Sequence, residues 1–335
     1  MAPRQPLAIS LGDPAGIGPE LIAEIWTQRG SLDLPPFVVA GGAGVLRNAG
    51  RSRGIDLPIA VVDGPSEALS AFPDAVPVIG TQDAVYSPGE PDVDGARLAL
   101  ASLEHGLALA LEGDAAGLVT LPVGKAQLAR VGFPHPGQTE YLAKACGVAA
   151  DDTVMMLAGP SLRTVPITVH CPLSEVPKLL SVELICAKAR TVHLALRRDF
   201  GIESPRLALA GLNPHAGESG QMGHEEERII APAVARLQDE GIAATGPHPG
   251  DALFTHRARE TYDVALAMYH DQALIPLKAL DFDEGVNTTL GLPLVRTSPD
   301  HGTAFAIAGE GIADPGATIA AIRMAGAMAA RRAGG

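Results

Sequence analysis

A chain of 335 residues, 47% of them hydrophobic, is long enough to fill two cores or one large α/β unit with a cleft. Its formal charge of −13 argues against a surface for nucleic acid, which demands clustered Lys and Arg. Three cysteines without a C-x-x-C suit free thiols rather than a disulfide framework, and neither a signal-peptide core nor a run of ~18 apolar residues is present, so the expectation is a soluble cytoplasmic protein that binds neither nucleic acid nor membrane. In chain order, short apolar runs that read as buried strands cover 7–11 (LAISL), 37–40 (FVVA), 59–62 (IAVV) and 117–121 (GLVTL). Four more follow at 153–158 (TVMMLA), 165–169 (VPITV), 206–211 (RLALAG) and 264–269 (VALAMY). Ala- and Leu-rich stretches that read as helices lie at 19–29, 92–112, 138–146, 183–198, 225–240 and 315–332. This alternation is the pattern of an α/β fold with a parallel sheet. Pro and Gly are spread over the ends of elements, so no linker declares itself.

Three histidines share one context. VPITVH ends at His170, LALAGLNPH at His215 and VALAMYH at His270, each just past a strand candidate. Ligands of open α/β sheets bind beyond the carboxyl ends of the strands, and three imidazoles with an open fourth position make a catalytic metal site. Taken singly, each reads more readily as a structural or surface histidine than as a ligand. Asp271 and Asp251 stand as possible further ligands, as partners behind the ligands or as turn caps. HEEER at His224 fails as a metalloprotease motif because Arg228 occupies the place of the second His, and its glutamates read as the acidic first turn of a helix.

Two glycine-rich segments compete for a dinucleotide. FVVAGGAGVLR, with Asp63 about 20 residues on, approaches the Rossmann fingerprint, but Arg47 replaces its last glycine. The other runs from Ser298 to Ile319 and reads as loop, short helix, loop, helix. Gln138, Thr139 and Glu140 begin a helix, whose N–H groups suit an anion or are simply capped there, and Lys278 and Arg296 are cations near strand or loop ends.

The ordered motifs GDPAGIGPE, LPVGKAQL, GQTEYLA, VHCPL, LNPHAGESGQMGHEE, GPHPGDALF, YHDQALIPLK and GVNTTLGLPLVRTSPDHGT resemble the 4-hydroxythreonine-4-phosphate dehydrogenase family of pyridoxine biosynthesis over nearly the whole chain. The resemblance implies that His170, His215 and His270 hold a divalent metal (zinc, magnesium, manganese or cobalt). It implies that Gln138, Thr139, Lys278, Asn287 and Arg296 contact substrate, with Asp251 and Asp271 left for proton transfer or a place behind the ligands. Many members carry His-Thr-Glu where this chain has Gln138-Thr139-Glu140, so a titratable ring becomes a neutral amide. The implied reaction is NAD- or NADP-dependent oxidation of the phosphorylated hydroxy-amino acid to a β-keto acid, which decarboxylates to 3-amino-2-oxopropyl phosphate. Related phosphorylated four-carbon acids or dihydrodiol carboxylates are alternative substrates, and a metal-dependent hydrolase or aldolase is the alternative of another class.

A more distant likeness, of GDPAGIGPE and HGTAFAIAGEGIADPGATI to segments of the isocitrate and isopropylmalate dehydrogenases, implies a two-domain α/β/α fold with a cleft between the domains. It implies that the cofactor meets Asp300, His301, Gly302, Ile312 and Asp314. Residues 1–125 plus 285–335 would then form a discontinuous cofactor domain, and 126–284 a metal-binding, substrate-binding and dimerisation domain. The implied assembly is a homodimer with shared active sites, His270 coming from a different subunit than His170 and His215.

Overall fold

The computed structural model describes residues 5–149 and 152–334. Its strands, in chain order, are β1 (Leu7–Ser10), β2 (Phe37–Ala40), β3 (Ile59–Val62), β4 (Val76–Ile79), β5 (Leu118–Thr120) and β6 (Val154–Ala158). They continue with β7 (Arg163–Pro166), β8 (Arg206–Ala210), β9 (Ala243–His248), β10 (Val264–Ala267), β11 (Val286–Leu290) and β12 (Arg296–Pro299). Contacts divide the chain into two compact units, one running to Gly147 and resuming over Leu292–Gly334, the other spanning Val148–Gly291. Segment 126–147, which carries Gln138 and Thr139, therefore belongs with the first unit, and 285–291 with the second.

The first unit is an all-parallel sheet in the order β3-β4-β2-β1-β5-β12. β1 lies near its middle and is buried at every position, as expected of a strand covered on both faces. The helix Val93–Leu111 packs on β1 and begins where the Asp92 carboxylate accepts from the Gly95 N–H at 2.6 Å. Beneath the helix Gly18–Thr27, the Trp26 indole donates to the Phe72 carbonyl, and Phe72 meets Phe37 edge-on at 4.9 Å.

The second unit has the order β11-β6-β7-β10-β8-β9, antiparallel across β11, β6 and β7 and parallel from β7 to β9. Small residues on the central strands, Ala208, Ala210 and Ala265, let Leu157, Leu253 and Leu277 close over the sheet. The helix Val182–Phe200 is capped by the Ser181 hydroxyl, which accepts from the Leu184 N–H.

All eight strand candidates form strands, with boundaries shifted by up to three residues. The four strands without a sequence candidate are β4, β9, β11 and β12. Pro interrupts β4 and β9, while VNTTL and RTSP bury Thr, Ser and Arg where an apolar run is the usual signal. A helix over His270–Asp281 also goes unread, because its Pro276 argues against one. No helix among the described residues is long and apolar enough to cross a membrane.

Candidate active site

Parallel strands deliver the residues that follow them to one edge of the sheet. In the second unit β7, β10 and β8 are neighbours, and their carboxyl ends lead to His170, His270 and His215. Three hydrogen-bonded ties hold these ends in register. Thr168 donates both its N–H (3.3 Å) and its hydroxyl (2.8 Å) to the Met268 carbonyl, joining the approach to His170 to the approach to His270. Gln272 accepts from the Met268 N–H at 2.7 Å and donates to the Gly211 carbonyl at 2.8 Å, joining β10 to β8. Finally, the buried Glu226 carboxylate accepts from the N–H and the side-chain amide of Asn213, two residues before His215.

His170 and His270 meet, with ring centroids 5.9 Å apart, at a cleft of about 240 Å³ that Cys171, Tyr269 and Asp271 also line. His270 opens its helix rather than ending a strand, since β10 stops at Ala267. The Asp271 carboxylate lies 2.7 Å from the His270 Nδ1 and accepts a hydrogen bond from the Nδ1–H tautomer, which leaves the Nε2 lone pair for a ligand. His170 and His215 both have φ of +50°, a left-handed backbone that residues with side chains adopt where surrounding contacts hold them. Two imidazoles with ring centroids 5.9 Å apart supply the nitrogen donors that a divalent ion takes, so the chemistry of the pair fits such a metal. Among the described residues no group of three His, Cys, Asp or Glu side chains is arranged to hold a metal ion, so His215 does not complete a three-ligand set with that pair within one chain. Lys278, two turns along the same helix, stands 5.8 Å over the Phe282 ring, and Asn287 is half-buried in β11 opposite Leu157. Asp251 is exposed in the short helix Gly250–Leu253.

In the first unit Arg296, only 4% exposed, donates from Nη2 to the Thr120 hydroxyl at 2.7 Å and to the Gln138 side-chain carbonyl at 3.4 Å. Burial pulls its guanidinium down to about 10, which leaves it charged at neutral pH. Gln138 is the first residue of the helix Gln138–Ala145, and Thr139 the second. Their helix starts at an extended Gly137 whose end carries no side-chain cap. Gln138 therefore reaches the arginine instead of capping.

Asp300, His301 and Gly302 follow the carboxyl end of β12, and the next residue, Thr303, accepts from the Ile17 N–H at 3.1 Å, so this loop backs onto the one after β1. Asp314 caps the last helix through the Gly316 N–H, and Ile312 is exposed. The competing glycine-rich segment is already filled: the Asp83 carboxylate accepts from the Gly44 and Val45 N–H groups at the start of the helix Ala43–Ser52, where a phosphate would bind. Gly42 has φ of +75°, and a Cβ there would strike the Leu11 side chain. Packing explains these glycines without a cofactor.

The sequence reading misses Thr168, Gln272, Asn213 and Glu226, which lie inside quoted motifs but were given no role there. The glutamates of HEEER are one case: Glu226 is buried against Asn213 and not a solvated helix-start charge.

Sheets that gather imidazoles and a buried arginine at strand ends define an α/β protein of the ligand-binding, enzyme-like kind. The family described as "Pyridoxal phosphate biosynthetic protein PdxA" matches residues 33–325, and the chain belongs to it. It is similar to the 4-hydroxythreonine-4-phosphate dehydrogenase of Erythrobacter litoralis, 63% identical over 99% of this chain and 98% of that one. The enzyme of the same name from Zymomonas mobilis is 52% identical over 98% and 97%. Among solved structures, that of 4-hydroxythreonine-4-phosphate dehydrogenase from Klebsiella pneumoniae superposes with a TM-score of 0.84 at 38% identity, covering 97% of this chain and 98% of that one.

Proposed function

We propose that this chain oxidises the secondary alcohol of 4-hydroxythreonine 4-phosphate with NAD or NADP, a step of pyridoxal phosphate biosynthesis. Hydride leaves the carbinol carbon for the nicotinamide and the hydroxyl proton is released. The resulting β-keto acid loses CO2 and takes up a proton, giving 3-amino-2-oxopropyl phosphate. Family membership supports the substrate and the reaction. The observation that carries the metal requirement is the His170–His270 pair, backed by Asp271 on the His270 Nδ1. A divalent ion held there would supply Lewis-acid polarisation of the substrate oxygen, in the alcohol and then in the ketone.

The chain's own groups do the rest. Asp271 fixes the His270 ring and its tautomer. Arg296 and Lys278 supply permanent positive charge for the phosphate, with Thr139 and the uncapped helix start adding donors. Gln138 orients Arg296, Asn287 completes the polar contacts to substrate, and Asp251, Asp271 or water takes the hydroxyl proton. The cofactor lies against Asp300–Gly302 and Ile312–Asp314, a reading supported by Asp83 filling the alternative loop.

The active assembly is a homodimer with shared sites, a reading supported by the lack of a complete three-ligand set among the described residues of one chain. The expectation that His270 crosses to the other subunit competes with the same-chain neighbourhood of His170 and His270. Mixing inactive His170→Ala and His270→Ala chains decides it: recovered activity means that His270 crosses, and mass-verified heterodimers without activity mean that the pair serves one chain. The function itself is tested by incubating the enzyme with substrate and either nucleotide. Reduced nicotinamide and CO2 in equal amounts are expected, and reduced nicotinamide without CO2, or neither, contradicts the proposal.

A further inference from the structure

Six consecutive residues after β8, His215 to Gly220, have φ between +43° and +86°. Four of them carry side chains, and a run of that kind is disfavoured for L residues, so it persists only where something outside the run holds it. The restraint is visible. Glu226, 3% exposed, accepts from the Asn213 N–H at 2.7 Å with Oε1 and from the Asn213 side-chain amide at 3.0 Å with Oε2. The same amide also donates to Glu225 at 2.8 Å. A Cβ on Gly217 would sit 2.7 Å from the Glu226 Oε2, so the loop turns back directly over this carboxylate. Burying a carboxylate is costly unless its oxygens are held, and here both are committed to the residue that launches the His215 turn.

We infer that Glu226 is a positioning residue for His215: it locks Asn213 through both oxygens and thereby holds the left-handed turn that presents the His215 ring to the metal. The inference rests on the reading that His215 is a metal ligand. Glu226 touches neither substrate nor ion and acts only through the turn.

The test is a cobalt(II) titration of the chelator-treated, full-length protein, read in the visible spectrum against a competing chelator. Wild type, Glu226→Gln, His215→Ala and the double variant are compared. Glu226→Gln keeps the volume but turns one acceptor into a donor facing the donors of Asn213. It should weaken cobalt binding by about 10- to 100-fold, the usual effect of removing the group behind a ligand. His215→Ala should weaken it at least as much, and Glu226→Gln should then add nothing, because the ring it positions is gone. Asn213→Ala, which removes the side-chain half of the clamp, should also weaken binding. Wild-type affinity in Glu226→Gln, or its full factor persisting on the His215→Ala background, overturns the inference while leaving the ligand reading intact. Wild-type affinity in His215→Ala instead overturns the ligand reading itself.

Discussion

Replacing Gln272 by alanine removes a side chain that ties the strand leading to His270 to the strand leading to His215. Two backbone groups lose their partners, the buried Met268 N–H at 2.7 Å and the Gly211 carbonyl at 2.8 Å. Each unsatisfied buried group costs about 1–3 kcal/mol, and because Gln272 is half-buried, water compensates in part, so about 2–4 kcal/mol is expected. At roughly 2–4 °C per kcal/mol, calorimetry should show a midpoint lowered by about 4–16 °C. Activity should fall further than stability explains, with kcat/KM down roughly 10- to 100-fold at a temperature where the variant is fully folded, since ligand ends displaced by about 1 Å cost that much. Gln272→Glu sharpens the argument. Its carboxylate still accepts from Met268 but opposes the Gly211 carbonyl, so its folded-state pKa is raised, and the deficit should shrink as pH falls towards about 4, where protonation restores a donor. An unchanged midpoint in Gln272→Ala, or a lowered midpoint with full activity, refutes the claim that this tie positions the histidines.

The remaining expectations concern the metal, the phosphate and one buried acid. His170→Ala, His215→Ala and His270→Ala should each lower bound divalent metal and abolish turnover with the fold retained; full occupancy by metal analysis in all three contradicts the ligand set. Arg296→Ala should lower kcat/KM by roughly 10- to 150-fold, and by much less on a substrate lacking phosphate, because charge-assisted hydrogen bonds are worth about 1.5–3 kcal/mol. Equal losses on both substrates assign this arginine to the fold or to the carboxylate. Asp13, 2% exposed, has its carboxyl pushed up by burial, against the opposing N–H groups of Ala15 and Gly124. A raised acid favours the fold below its unfolded value of about 3.9 and loses that contribution as pH rises through the folded value, so Asp13→Asn should raise the melting temperature more at pH 8 than at pH 4. A gain that does not vary with pH would show that charge is not the cause.

Some of this was open to view in the sequence. Apolar runs mark β1, β2, β8 and β10 because strands covered on both faces must be apolar, and the strand-end rule singles out His170, His215 and His270 without knowledge of any partner. β11 and β12 stay hidden because VNTTL and RTSP are buried for their polar groups, Arg296 among them. The residues behind the histidines stay hidden for a different reason. Gln272 finds Gly211 across 61 positions and Glu226 finds Asn213 across 13, and the motifs that contain them do not show either partner. The same blindness works in reverse at Gly42 and Gly44, where a phosphate-loop resemblance dissolves once Asp83, 39 positions on, occupies the helix start.

The central claim is that oxidation depends on an ion held at the strand-end histidines. The direct measurement is the rate of nicotinamide reduction with 4-hydroxythreonine 4-phosphate before and after stripping the enzyme with chelator, then upon adding back zinc, magnesium, manganese or cobalt. The account predicts that the stripped enzyme is inactive, that one ion per site restores it, and that the same addition leaves His270→Ala inactive. A stripped enzyme of demonstrated low metal content that still reduces the nucleotide at the native rate would contradict it.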